Sequence, residues 1–178
     1  QSVSTPEDTA LNIVLTATDV ELDPLTYSIV TQPAHGTLTG TAPNVTYTPA
    51  ANYFGTDSFT FKANDGTADS NVATVSINVT AVNDAPLANP QSVTTAQNTA
   101  ANITLTGSDV EGNPLTYSIV TQPAHGTLTG TTPNVTYTPA ANYFGADSFT
   151  FKANDGTADS NVATVSINVT AVNDAPLA

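Results

Sequence analysis

Apolar residues recur at every second position over several short stretches of this chain. Ile13, Leu15 and Ala17 share one face of residues 12–18, and Leu25, Tyr27 and Ile29 one face of 25–30. Phe59, Phe61 and Ala63 do so in 58–63, and Ala73, Val75, Ile77 and Val79 in 72–82. Successive side chains of a strand point to opposite faces, so each stretch reads as a strand with one buried face. Shorter runs at 2–5, 37–39 and 45–48 bring the number to seven. Pro, Gly, Asn and Asp punctuate the chain every 8–12 residues, with no helical period between them. That spacing predicts an all-β sandwich.

The pattern occurs twice. Residues 24–88 and 114–178 align at an offset of 90 and differ only at Ala42/Thr132 and Thr56/Ala146. The preceding stretch, 1–23 against 91–113, is identical at 13 of 23 positions. A repeat of this length means tandem small domains. The expected organisation is a first sandwich over 1–84, a Pro-containing linker at 85–90 and a second sandwich over 91–178. Gln1 matches Gln91 and Ala178 matches Ala88, so the two repeats are expected to be a piece of a longer array.

Charge narrows the function. Fifteen acidic residues face only Lys62 and Lys152, for a net charge of −13. Such a chain offers no basic surface to a phosphate backbone, so nucleic acid is excluded as a partner. An anionic membrane surface is equally disfavoured, and no apolar run is long enough for insertion. Cys is absent, which rules out disulfides and thiolate zinc sites. A cation is the natural partner.

Strand parity places the loops. In a seven-stranded sandwich the B–C, D–E and F–G loops share one end, and the A–B, C–D and E–F loops share the other with the exit of strand G. The upper pole of repeat 1 then carries Asp19, Glu21, Asp23, Asp65 and Asp69. The lower pole carries Glu7, Asp8, Asn83 and Asp84. The linker holds two prolines and no Gly or Ser run, so it is short and stiff. The lower pole of repeat 1 is therefore expected to approach Asp109, Glu111, Asn113 and Asp155 of repeat 2. Ca²⁺ takes six to eight oxygen ligands from carboxylates, carbonyls and water, and these loops supply only such groups. Zinc would prefer His or Cys. The bland alternative is ordinary turn chemistry, in which Asp and Asn cap their own backbone.

Asp109-x-Glu111-Gly112-Asn113-x-Leu115-x-Tyr117-x-Ile119 resembles the acidic B–C segment of cadherin repeats. Phe59-x-Phe61-x-Ala63-x-Asp65-Gly66 resembles their strand F and the turn after it. Pro6-Glu7-Asp8 is similar to their early Pro-Glu segment, and Asn83-Asp84-Ala85-Pro86 to their linker. Over its whole length the chain resembles the bacterial cadherin-like, Ig-like tandem repeats of large surface adhesins. The resemblance implies two tandem seven-stranded Ig-like, Greek-key sandwiches. It makes Glu7, Asn83, Asp84, Asp109, Glu111, Asn113 and Asp155 calcium ligands at the junction, with Asp19, Glu21, Asp23 and Asp65 at the upper pole of repeat 1. Two departures stand out. Pro49-Ala50-Ala51-Asn52 replaces an acidic pair expected in the E–F loop. Repeat 2 carries Gln97, Asn98 and Asn113 where repeat 1 has Glu7, Asp8 and Asp23, so its lower pole should bind a cation more weakly.

Other residues read more plainly. Asp57 and Asp147 open strand F and are expected to bond to backbone. His35 and His125 lack a Cys or carboxylate neighbour in sequence and read as turn residues. Tyr53-Phe54-Gly55 is expected to pack under the E–F corner rather than contact a sugar. Asn44, Asn78, Asn102, Asn134 and Asn168 each begin an Asn-x-Thr triplet, a glycan acceptor in a eukaryotic secretory route. No catalytic motif is present, and no enzyme is expected. The expected function is an extracellular, calcium-stiffened spacer of a bacterial adhesin or biofilm matrix at the cell surface, whose partners are calcium and neighbouring repeats. The alternatives are a glycan- or protein-binding module and a unit that joins like chains head-to-tail into calcium-dependent filaments.

Overall fold

The computed structural model describes residues 1–173. The last five positions of the second expected sandwich, 174–178, lie outside the described residues. The chain divides into two compact units, Gln1–Val82 and Asn83–Ala178. Unit 1 contains β1 (Ser2–Pro6), β2 (Leu11–Val14), β3 (Thr26–Thr31), β4 (Gly36–Thr41), β5 (Asn44–Pro49), β6 (Gly55–Asn64) and β7 (Ala73–Thr80). They form two sheets, in the orders β1-β7-β6-β3 and β2-β5-β4. All pairs are antiparallel except β1 with β7, which is parallel. This is the expected Ig-like sandwich.

Unit 2 repeats the design with β9 (Gln91–Ala96), β10 (Ala101–Thr104), β12 (Thr116–Thr121), β13 (Gly126–Thr131), β14 (Asn134–Pro139), β15 (Gly145–Asn154) and β16 (Ala163–Thr170). It adds a two-residue pair, β8 (Leu87–Ala88) against β11 (Gly107–Ser108). Positions 85–90, read from sequence as linker, thus include a strand of unit 2. Two strands are also shorter than the alternation predicts. β2 ends at Val14, after which Leu15 N bonds to the Pro43 carbonyl at 2.9 Å. β7 ends at Thr80.

The cores follow the period of two. Ile13, Leu15, Tyr47, Phe59, Phe61, Val75, Ile77 and Val79 fill unit 1. Their counterparts fill unit 2, where Ala88 joins them. Each fully buried Val, Leu, Ile or Phe contributes about 1.5–3 kcal/mol. Thr, Ser and Asn line the outer faces, and side-chain bonds such as Thr46–Asn12 and Thr31–Thr60 join neighbouring strands. Polar ladders of this kind need no charge, so most of the acidic residues are left to the loops.

Strand β6 carries a buried carboxylate, Asp57. Asp57 Oδ1 accepts from Ala34 N and Ser58 N, and Oδ2 from His35 N, at 2.8–2.9 Å. The hydroxyl of fully buried Tyr47 donates to the same Oδ2 at 2.9 Å. Burial opposes the charge on Asp57, but these four donors outweigh it and hold its pKa below the usual carboxylate range. Burial and the neighbouring carboxylate push the Tyr47 phenol upward. The interaction ties the β3–β4 loop to β6, and Asp147 repeats it in unit 2.

A depressed pKa means that the ionised form stabilises the fold above the unfolded value, and that this support fades as pH falls through the folded value. Asp57→Asn combined with Asp147→Asn should therefore destabilise each unit by about 2–3 kcal/mol at neutral pH, and by less at pH about 2–3. Urea unfolding at both pH values measures it. Equal losses at the two would show that the charge is not what matters.

Candidate functional site

The acidic loops at the upper pole of unit 2 are shaped by their own side chains. Asp109 Oδ1 accepts from Asn113 N at 2.7 Å and its carbonyl from Gly112 N at 3.4 Å, closing a tight turn. Gly112 has φ 76°, a conformation that costs glycine little. Leu22 holds the matching position in repeat 1 at φ 65°. In the β15–β16 loop, Asp155 Oδ1 caps Thr157 N and Ala158 N at 2.5 and 2.6 Å. The Ala158 bond, followed by one from Asn83, holds the Asp155 pKa below its ordinary range.

The segment that enters unit 2 closes the pole. Asn83 Nδ2 donates to Asp155 Oδ2 at 2.9 Å, and Asn83 Oδ1 accepts from Asn113 Nδ2 at 3.3 Å. Asp84 N donates to Glu111 Oε2 at 3.0 Å. Asn83, Asp84, Glu111, Asn113 and Asp155 are thereby joined in one hydrogen-bonded group, which Asp109 joins through Asn113. Three carboxylate oxygens in this pole, Asp84 Oδ2, Asp109 Oδ2 and Glu111 Oε1, are buried with no hydrogen-bond partner among the described residues. A buried polar atom left unpaired costs about 1–3 kcal/mol, and more when it is charged. No lysine relieves them: Lys62 pairs with Asp69 and Lys152 with Asp159.

Unit 1 differs at its two ends. At the upper pole Asp19 Oδ1 accepts from Asp23 N at 3.0 Å, and Asp65 Oδ1 caps Thr67 N and Ala68 N at 2.7 Å. Glu21 and Asp23 are exposed there. At the lower pole Glu7 is only 3% exposed. Its Oε1 accepts from Val82 N at 2.6 Å, while Oε2 is buried without a partner among the described residues. Asp8 Oδ1 caps Asn52 N at 3.1 Å. The matching residues of unit 2 are neutral. Gln97 is buried, and Asn98 and Asn142 bond to each other.

All-oxygen donors, several with unused lone pairs and none opposed by a cation, fit a hard divalent ion such as Ca²⁺. Sequence reasoning missed two residues of this region. Asn161 bonds to Ala88 through both side-chain atoms. Gly107 lets Leu87 approach: a Cβ there would lie 2.8 Å from the Leu87 carbonyl oxygen. Asp69, placed at the upper pole of repeat 1, is held there by Lys62 and Asn64. No local sequence signal marks the Asn161 and Gly107 roles, because both depend on β8.

Among solved structures, human CDH23 EC21-23 is similar over 96% of this chain and 72% of that one, at TM-score 0.61 and 18% identity. The human mucin-like protocadherin EC1-2 is similar over 96% of both chains, at TM-score 0.54 and 16% identity. These likenesses show a shared fold. Integrin beta-like protein A of Dictyostelium discoideum is 42% identical over 111 residues, which is 53% of this chain and 6% of that protein. Integrin beta-like protein B of the same organism is 40% identical over 65 residues, 36% of this chain and 3% of that protein. The chain thus spans a small fraction of these relatives. A family model described as a bacterial Ig domain matches residues 1–78 and again 83–168. The chain belongs to the bacterial Ig domain family, as two tandem copies.

Proposed function

We propose that this pair of repeats is an extracellular structural spacer, of the kind that holds an adhesin away from a bacterial surface, and that calcium stiffens it. The observation that carries the reading is the buried carboxylate oxygens of Asp84, Asp109 and Glu111 in unit 2 that lack a hydrogen-bond partner among the described residues; unit 1 has one of its own, Glu7 Oε2. Asn83, Asn113 and Asp155 complete the donor set, and Asp19, Glu21, Asp23 and Asp65 form its counterpart on repeat 1. Carboxylate and amide oxygens are the ligands calcium prefers. Zinc would call for nitrogen or sulfur, and magnesium is poorly served by an all-protein cage.

The connection between repeats supports the same reading. The chain leaves unit 1 at Val82, whose amide is held by Glu7. The next two residues, Asn83 and Asp84, bond to Asp155 and Glu111. Neutralising these acids would let the connecting backbone hold one conformation without like-charge repulsion. Extracellular modules of this kind bind calcium at about 0.1–1 mM, a level that external fluids supply.

A ligand that binds only the folded state raises stability by RT ln(1 + [L]/Kd). At about 5 mM Ca²⁺ this is about 1–2 kcal/mol, or a rise of about 4–15 °C for units of this size. Thermal unfolding in EDTA, Ca²⁺ and Mg²⁺ should show that rise with calcium alone. Superimposed melts would leave the carboxylates as turn caps and end the calcium reading. Asp109→Ala should abolish the rise and increase the radius of gyration in calcium, measured by small-angle scattering, with both sandwiches still folded by circular dichroism. Scattering identical to the parent protein would remove Asp109 from the site.

A further inference from the structure

The sheet β2-β5-β4 of unit 1 carries no charged side chain, and residues 24–56 as a whole contain none. In a chain of net charge −13, two copies can meet along this sheet without like charges in contact. The two sheets of unit 1 end in four edge strands, β1, β3, β2 and β4. Three are blunted in ways that discourage edge-to-edge pairing. β1 ends in Pro6 and runs on into Glu7 and Asp8, β2 is four residues long, and β3 is bulged between Ile29 and Thr31. β4 has no such device. It is six residues long, has neither proline nor charge, and keeps unbroken register with β5 from Gly36↔Pro49 to Thr41↔Asn44.

Half of the β4 backbone is committed. Ala50 N donates to His35 O at 2.8 Å, one step outside the Gly36↔Pro49 pair. Bonded and non-bonded pairs alternate along an antiparallel ladder, so Thr37, Thr39 and Thr41 turn their N–H and C=O groups to β5. Those of Gly36, Leu38 and Gly40 point out of the sheet edge, where β4 has no neighbouring strand. The threonine side chains beside them are exposed. Gly36-Thr37-Leu38-Thr39-Gly40 reads the same in both directions. Antiparallel pairing of two copies about Leu38 sets Leu38 against Leu38 and Gly36 against Gly40, so outward groups meet outward groups. Thr37 then faces Thr39 in the non-bonded pairs, where side chains come closest. The terminal glycines bring no side chain into the contact. Gly40, at φ 91°, begins the turn into the hairpin and bounds the pairing there.

Unit 2 repeats the arrangement. β13 has the sequence of β4, the same register with its neighbour β14, and the same phase, since Ala140 N donates to His125 O at 2.8 Å. We propose that β4 and β13 are self-complementary edges through which copies of this chain associate side by side, each pairing antiparallel with the same strand sequence of a second copy. This is strand addition, in which main-chain bonds give affinity, and the contact is two-fold and isologous. One such edge is far smaller than the surface a stable dimer buries, so a single contact is weak. Each chain carries two, so one chain can be held by two others and association does not stop at a dimer. The acidic residues elsewhere on each copy repel one another, and salt screens that repulsion.

Sedimentation equilibrium of the 178-residue chain in EDTA tests the proposal. From about 10 µM to about 1 mM the average mass should rise above that of one chain, and more so in about 0.5 M than in about 0.05 M NaCl. Hydrogen exchange at the Leu38 and Leu128 amides should slow as the chains associate, and exchange in β1 should not change. Thr37→Glu, Thr39→Glu, Thr127→Glu and Thr129→Glu together set like charges face to face, and that variant should stay monomeric. The four matching lysine substitutions should have the same effect. Mixed, the two variants should associate again, because glutamate then faces lysine, although both chains remain net acidic. The proposal is overturned if the parent stays monomeric, if either variant associates as the parent does, or if the mixture stays monomeric while circular dichroism shows both variants folded. EDTA keeps the outcome separate from the calcium reading, so either can fail alone.

Discussion

Fifteen carboxylates share this chain with two lysines, and both lysines are already committed within their own β6–β7 or β15–β16 regions. Every other acid must be satisfied by backbone N–H groups, by neutral side-chain donors such as the Tyr47 hydroxyl and the Asn83 amide, by water or by an ion from outside. Asp57 and Asp65 show the first solution, with amide donors arranged around one side chain. Glu7, Asp84, Asp109 and Glu111 show where that supply runs short, because each keeps a buried oxygen unpaired among the described residues. Apart from Asp57 and Asp147, the sheets keep their acids out of this competition. Their outer faces carry hydroxyls and amides that bond across strands, so the electrostatic problem is confined to the poles.

The sandwich was legible because it depends on a local signal. A period of two in Phe59-Thr60-Phe61-Lys62-Ala63 states which face is buried, whatever lies opposite. The gathering of Asp109, Glu111, Asn113 and Asp155 at one end was legible for a related reason: strand parity fixes which loops share a pole. The fate of 85–90 was not. Two prolines in ten residues look like a stiff tether, and nothing local says that Leu87 and Ala88 will pair with Gly107 and Ser108. That pairing also gives Asn161 its role, so missing the strand concealed Asn161 as well.

The two repeats are not equivalent at their lower ends. Glu7 presents a buried charged oxygen, whereas Gln97 presents an amide, and Asn98 with Asn142 forms a neutral reciprocal pair in place of Asp8 with Asn52. The backbone there is the same, since Glu7 N and Gln97 N each bond to the last carbonyl of the final strand. Charge alone has been exchanged within a constant frame. A pole can therefore lose or gain its demand for a cation without any change in the sandwich beneath it.

The near-identity of β3–β7 with β12–β16 bears on how the chain reaches its fold. A strand from either repeat fits the other's sheet in native register, with the same core-facing side chains. Refolding from denaturant therefore offers two completions of each sandwich, one of which exchanges strands between repeats. Apart from Ala42/Thr132 and Thr56/Ala146, only residues 1–23, which differ from 91–113 at ten of 23 positions, tell the two apart. Synthesis on the ribosome removes the ambiguity, because Thr80 has emerged and the first sandwich can close before its twin exists. In this protein the order in which the strands appear carries information that the strands themselves do not.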